Sequence, residues 1–158
     1  LVASDDDGRR LWKELLAGAK PVGTEALEVA RVEQGVPAYG KEMSEEFNPL
    51  EANLLEFISF TKGCYVGQEV VTRLNTYKKV QKHLVGLRWD SNGVPEEGAK
   101  LLADGTQVGV VTSAVHSPRL RKPVGLGYVR KAHAEPGTVV DVESANGGTV
   151  TEVVELPQ

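Results

Sequence analysis

The chain has 158 residues, of which 41% are hydrophobic and 25% charged, with a formal net charge of -4. That composition is that of a soluble globular protein, which sets aside disorder and fibres, and the length suffices for one domain or for one domain and part of another. No apolar run approaches the ~18 residues a membrane span needs, and Asp5, Asp6 and Asp7 stand where a signal peptide would carry cations.

Two helices open the chain. Leu11, Trp12, Leu15 and Leu16 fall at helical spacing between Arg9 and Ala17, and Gly18 is a stop. Thr24 can N-cap a second helix running to about Gln34, with Gly35 supplying the left-handed residue that ends it. From Val36 to Asn53 the chain is too rich in turn formers for a regular element. Leu54 to Phe60 reads as a strand or a mixed apolar run, and Gly67 to Tyr77 again has helical spacing. Beyond Lys82 the pattern changes. His83–Trp89, Lys100–Ala103, Gln107–Val115, Val124–Arg130, Val139–Glu143 and Val150–Leu156 read as short strands, with turn signals at Asn92-Gly93, Asp104-Gly105 and Asn146-Gly147. Six short strands predict a small barrel or sandwich that hides its edges.

Charge is unevenly spread. Residues 1–69 carry 7 Lys/Arg against 13 Asp/Glu, whereas 70–89 and 105–134 hold ten cations and no acid. If those two stretches share a face, they would attract an anionic partner. No nucleic-acid motif or aromatic platform accompanies the charge.

Two segments could carry chemistry. In Arg31-Val32-Glu33-Gln34-Gly35-Val36-Pro37-Ala38-Tyr39-Gly40-Lys41-Glu42, the Glu33 carboxylate could accept two parallel hydrogen bonds from the flat N–H/NH2 edge of an aminopyrimidinone ring, flanked by Tyr39. The alternative is a surface acid paired with Arg31. In Lys62-Gly63-Cys64-Tyr65-Val66-Gly67-Gln68-Glu69, the single cysteine sits on a turn before a helix N-terminus, beside Lys62, which exposes a thiol and favours its thiolate. The alternative is a buried apolar cysteine. One thiol makes neither a disulfide nor a closed metal site, and His83, His116 and His133 show no ligand spacing, so no metal site is expected. A lone cysteine also suits a reducing compartment, so the expected address is the cytoplasm. The glycines of Val108-Gly109-Val110-Val111-Thr112-Ser113-Ala114 and Val124-Gly125-Leu126-Gly127-Tyr128 read as architectural.

Together Arg31-x-Glu33-x-Gly35, Tyr39-Gly40-x-Glu42, Asn48-Pro49-Leu50-Glu51-Ala52 and Gly109-x-Val111-Thr112-Ser113 with Ser117-Pro118 resemble the folate-binding superfamily of the glycine cleavage T-protein, an aminomethyltransferase. Within it, Lys62 to Glu69 is similar to the hallmark of the YgfZ subfamily. The resemblance implies an α+β chain: the end of a central folate-binding α/β domain (1–80), followed by a small all-β barrel (81–158). It implies that the N-terminal domain, with the T-protein's catalytic aspartate, is missing, in keeping with Leu1 standing in place of an initiator methionine. Glu33 would grip the pterin of tetrahydrofolate with Tyr39 nearby. Lys82 stands where T-proteins often place an arginine for the folate tail. Cys64 would be the functional thiol of a factor that supports iron–sulfur cluster assembly or repair, with client enzymes or assembly machinery as partners and no membrane partner. The runner-up is an enzyme that transfers an aminomethyl-derived one-carbon unit to tetrahydrofolate. A tRNA-binding surface on the basic stretches is a third reading.

Overall fold

The computed structural model describes residues 4–77, 80–90, 93–143 and 149–156. Helix α1 spans Asp5–Leu16, four residues earlier than hydrophobic spacing predicts at its start. Ser4 caps it, its hydroxyl accepting from the Asp7 N–H, and Asp5 to Asp7 lie in the first turn, where anions complement the helix dipole. The acidic run is therefore a helix start, and α1 buries none of its residues. Helix α2 spans Thr24–Glu33. Thr24 is its first residue and not its cap, a position taken by Gly23. Gly35 adopts φ 68°, as expected, and Leu156 lies 2.9 Å from where its Cβ would be.

Residues 36–54 form successive turns that include a bridge between Tyr39 and Met43. The apolar run from Leu54 is not a strand: Leu55–Phe57 is a single 3-10 turn, with Leu55 and Phe57 exposed. Among the described residues no neighbouring strand offers it a ladder, so its apolar pattern alone does not make a sheet. Helix α3 spans Gln68–Thr76 and starts from Gly67 at φ 88°.

Strands β1 (Lys82–Trp89), β2 (Lys100–Ala103), β3 (Thr106–Ser117), β4 (Lys122–Arg130), β5 (Val139–Val142) and β6 (Thr149–Val154) close into an antiparallel barrel in the order β1-β4-β3-β2-β5-β6. Asp104 (φ 49°) and Gly105 (φ 73°) make the β2–β3 turn, a geometry matched to strand twist. The Asn92 and Asn146-Gly147 turn positions lie outside the described residues. Inside the barrel Val85, Leu87, Trp89, Leu101, Val111, Val129, Val142 and Val153 form the core. A second core lies on the barrel's outer face, where Val32 of α2 and Ala52 meet Leu84 of β1 and Val124, Leu126 and Tyr128 of β4. Hence β4 is buried along nearly its whole length, and its sequence reads as a continuous apolar run instead of alternating.

Candidate functional site

The segment from α2 to Met43 is fastened to β3 by two buried carboxylates. Glu42 has no solvent exposure at all. Its Oε1 accepts from the hydroxyls of Thr112 and Ser113, both at 2.6 Å. Its Oε2 accepts from Arg31 Nη1 at 3.1 Å and from the Ala38 N–H at 2.9 Å, while its backbone carbonyl accepts from the Tyr128 hydroxyl at 2.8 Å. Adjacent strand residues normally face opposite sides. Here a bulge shifts the β3–β4 register between Val111 and Ser113, which turns both hydroxyls toward one carboxylate.

Arg31 is the hub of the same network. It holds Glu28 in a two-pronged pair at 2.6 and 2.7 Å, reaches Ser113 Oγ at 2.6 Å, and touches Glu42. Lys41 bridges Glu28 and Glu97 at 3.1 and 3.2 Å. The Arg31 hydrogen bonds pull the Glu28 carboxyl down to about 2, with Lys41 adding to the shift against the penalty of burial. Because that value lies below the ordinary 4.5, Glu28 contributes stability above pH ~4.5 that disappears as pH falls toward 2. Urea midpoints measured from pH 7 down to pH 3 should therefore fall, and Glu28→Gln should flatten the slope. An unchanged slope would show that the pair adds nothing.

Glu33 does not pair with Arg31. Only 8% exposed, it accepts from the Ser117 hydroxyl and, at 3.0 Å, from Arg119 Nε. The Ser117 hydrogen bond first, and Arg119 second, hold its carboxyl below the usual range against burial, which works the other way. The reason is positional: Glu33 ends α2 beside the β3–β4 turn, while Arg31 faces the middle of β3.

Tyr39 is 91% exposed and rims an open groove of about 690 Å³ with Gly40, Met43, Ser44, Phe47 and Pro49. Phe47 stacks on Tyr128 at 3.6 Å between ring centroids, and Lys82 Nζ lies 5.6 Å from the Phe47 centroid. Tyr39 and Lys82 thus converge on Phe47, which sequence reasoning did not single out. Glu33 is held at the far end of β4: from Lys122, opposite Ser117, to Tyr128 is six residues, or about 20 Å of strand.

Cys64 is exposed on the loop before α3, next to an exposed Val66. The Lys62 ammonium lies over the Tyr65 ring, 4.7 Å from its centroid. No contact among the described residues joins Cys64 to Glu33, Tyr39 or Lys82. Three cations of the basic stretches are neutralised by acids from outside them: Arg88 by Glu152, Arg119 by Glu33, and Lys122 by Asp90. Lys78 and Lys79 lie outside the described residues. Among the described residues no cluster of His, Cys, Asp or Glu could hold a metal, and no helix is long and apolar enough to cross a membrane.

Residues 82–158 match the family model of the glycine cleavage T-protein C-terminal barrel domain, and residues 1–62 match that of the GCVT N-terminal domain. Both parts of the chain thus match domains of the glycine cleavage T-protein. It is 36% identical over 143 residues to an aminomethyltransferase of Aquifex aeolicus, covering 90% of this chain and 39% of that protein. It is 43% identical over 147 residues to a putative chloroplastic transferase of Arabidopsis thaliana, covering 92% of this chain and 34% of that protein. The crystal structure of a glycine cleavage system aminomethyltransferase T from Bartonella henselae superposes with a TM-score of 0.86 at 28% identity, over 96% of this chain and 44% of that one. The chain thus spans less than half the length of these relatives. The two motifs that looked separate in sequence meet in space at two points: Glu42 is received by Thr112 and Ser113 of β3, and Glu33 by Ser117 at its end.

Proposed function

We propose that this chain supplies part of the tetrahydrofolate site of a larger one-carbon protein. The observation that carries the reading is Glu33, a buried carboxylate kept ionised at the end of α2. A carboxylate offers about four acceptor positions, and among the described residues Glu33 accepts from Ser117 and Arg119. The remaining capacity suits the paired donors of a pterin edge. The Tyr39 groove, walled by Phe47, Met43 and Pro49, suits a flat ring, and its volume is within the range of ligand pockets. Lys82 would face the anionic tail. The roughly 20 Å between the two ends favours an elongated ligand.

The names of the relatives favour aminomethyl transfer as the activity of the whole protein, and the motif resemblance favours tetrahydrofolate as the acceptor. In that reaction the folate accepts the one-carbon unit, and these residues bind and orient it. A second reading, favoured by the Lys62–Glu69 segment and the exposure of Cys64, is a YgfZ-type factor that supports iron–sulfur enzymes through that thiol. One pair of measurements separates them. The intact protein is assayed for glycine cleavage with a lipoyl carrier protein, and its Cys64→Ala variant is tested for rescue of iron–sulfur enzyme activity in a strain lacking the protein. Transfer activity indifferent to Cys64→Ala supports the first reading. No transfer, with rescue abolished by Cys64→Ala, supports the second.

A further inference from the structure

We propose that Glu42 is a positioning residue of the ring-binding groove: it presents Tyr39 without touching the ligand. This rests on the folate reading of the groove, and its test separates the two.

Tyr39 has almost no packing of its own to hold it. What holds it is the turn from Ala38 to Met43, closed by Met43 N–H to Ala38 O at 3.0 Å and Gly40 N–H to Met43 O at 2.9 Å, with Gly40 at φ 83°. Even with a third bond, from Lys41 N–H to Ala38 O at 3.3 Å, a short exposed turn of this kind is at the low-stability end of a fold. Glu42 prevents this. Its side chain returns to the Ala38 N–H at the start of the turn and is locked to the β3 bulge and to Arg31, and its carbonyl takes the Tyr128 hydroxyl. The turn is therefore tied to the barrel, whose strands are paired on both sides in a closed ring. The neighbouring Lys41 adds a second tie through Glu28 and Glu97.

The consequence is preorganisation. A turn whose backbone is fixed before binding removes the ordering cost that a loose loop would impose on the ligand. Glutamine at position 42 has one acceptor oxygen in place of two and no charge, so it cannot serve four donors.

Hydrogen exchange on this chain tests the positioning without any ligand. In Glu42→Gln, the amides of Ala38, Gly40 and Met43 should exchange about tenfold faster, the expected effect of losing one charge-assisted bond, while those of Leu126 and Val129 in β4 stay unchanged. Equal acceleration throughout the barrel would make Glu42 a stability residue only and overturn the proposal, as would no acceleration. Should Glu42→Gln fail to fold, Thr112→Val with Ser113→Ala removes two donors from the barrel side and is read the same way. In the intact protein, affinity for 5-formyltetrahydrofolate should fall about tenfold in Glu42→Gln. Wild-type binding that is unaffected by the substitution sinks the positioning role. Absence of wild-type binding, with the exchange result as expected, sinks the folate reading and leaves the positioning standing.

Discussion

Gly125→Ala is expected to destabilise the barrel by roughly 3 kcal/mol or more, at the upper end of overpacking penalties. The new methyl group would lie 2.4 Å from the Ser113 carbonyl oxygen and 2.7 Å from Trp89 Cη2. Neither neighbour can retreat. Ser113 is anchored by Glu42 and Arg31, and Trp89 has no solvent exposure and fills the barrel interior. Gly127 stands in the same relation to Leu87, with its Cβ position 2.7 Å from that side chain. The glycines of β4 thus create the space in which the largest core side chains lie. Urea denaturation of Gly125→Ala measures the effect, and for a chain of this size the loss corresponds to a fall in Tm of about 10 °C. A loss below about 1 kcal/mol would mean that the barrel has slack the packing does not suggest. Because Ser113 is also a Glu42 donor, the same substitution should disturb the Ala38–Met43 turn.

How far the sequence foretold this depends on which physical signal each element relied on. The barrel strands were legible because Val, Leu and Tyr recur between turn residues, and five of the six segments needed only small corrections at their ends. The start of α1 was not, because hydrophobic spacing is silent about a polar first turn, although Ser4 before three aspartates carried the capping signal. Of the two readings left open for the 54–60 run, the strand fails because apolar residues alone do not supply a strand to pair with. At the site, Glu33, Tyr39, Lys82 and Cys64 could be named from motif resemblance, but their partners could not. A bulge that aims Thr112 and Ser113 at one carboxylate depends on long-range register, and the only local hint is two adjacent hydroxyls in an apolar strand. The pairing of Arg31 with Glu28 and Glu42, and not with Glu33, likewise follows from where α2 meets β3.

Glu33 carries two roles that substitution can separate. Within the chain it receives Ser117 and Arg119 and so fixes the end of α2 to the β3–β4 turn. In the proposed site it also receives the pterin edge. Glu33→Gln keeps the shape but loses the charge and one acceptor, which should cost about 1–3 kcal/mol of stability. In the intact protein it should also weaken tetrahydrofolate binding about a hundredfold, since two charge-assisted hydrogen bonds are degraded together. Ser117→Ala provides the contrast. It removes a donor from the same carboxylate and should lower stability by a similar amount, yet it leaves Glu33 charged and its pterin-facing capacity intact, so affinity should change by no more than a few-fold. Equal losses of affinity in both variants would show that Glu33 acts only as a clasp between α2 and the β3–β4 turn. A large loss confined to Glu33→Gln would mark the carboxylate as a ligand contact, held ready by the barrel hydroxyl behind it.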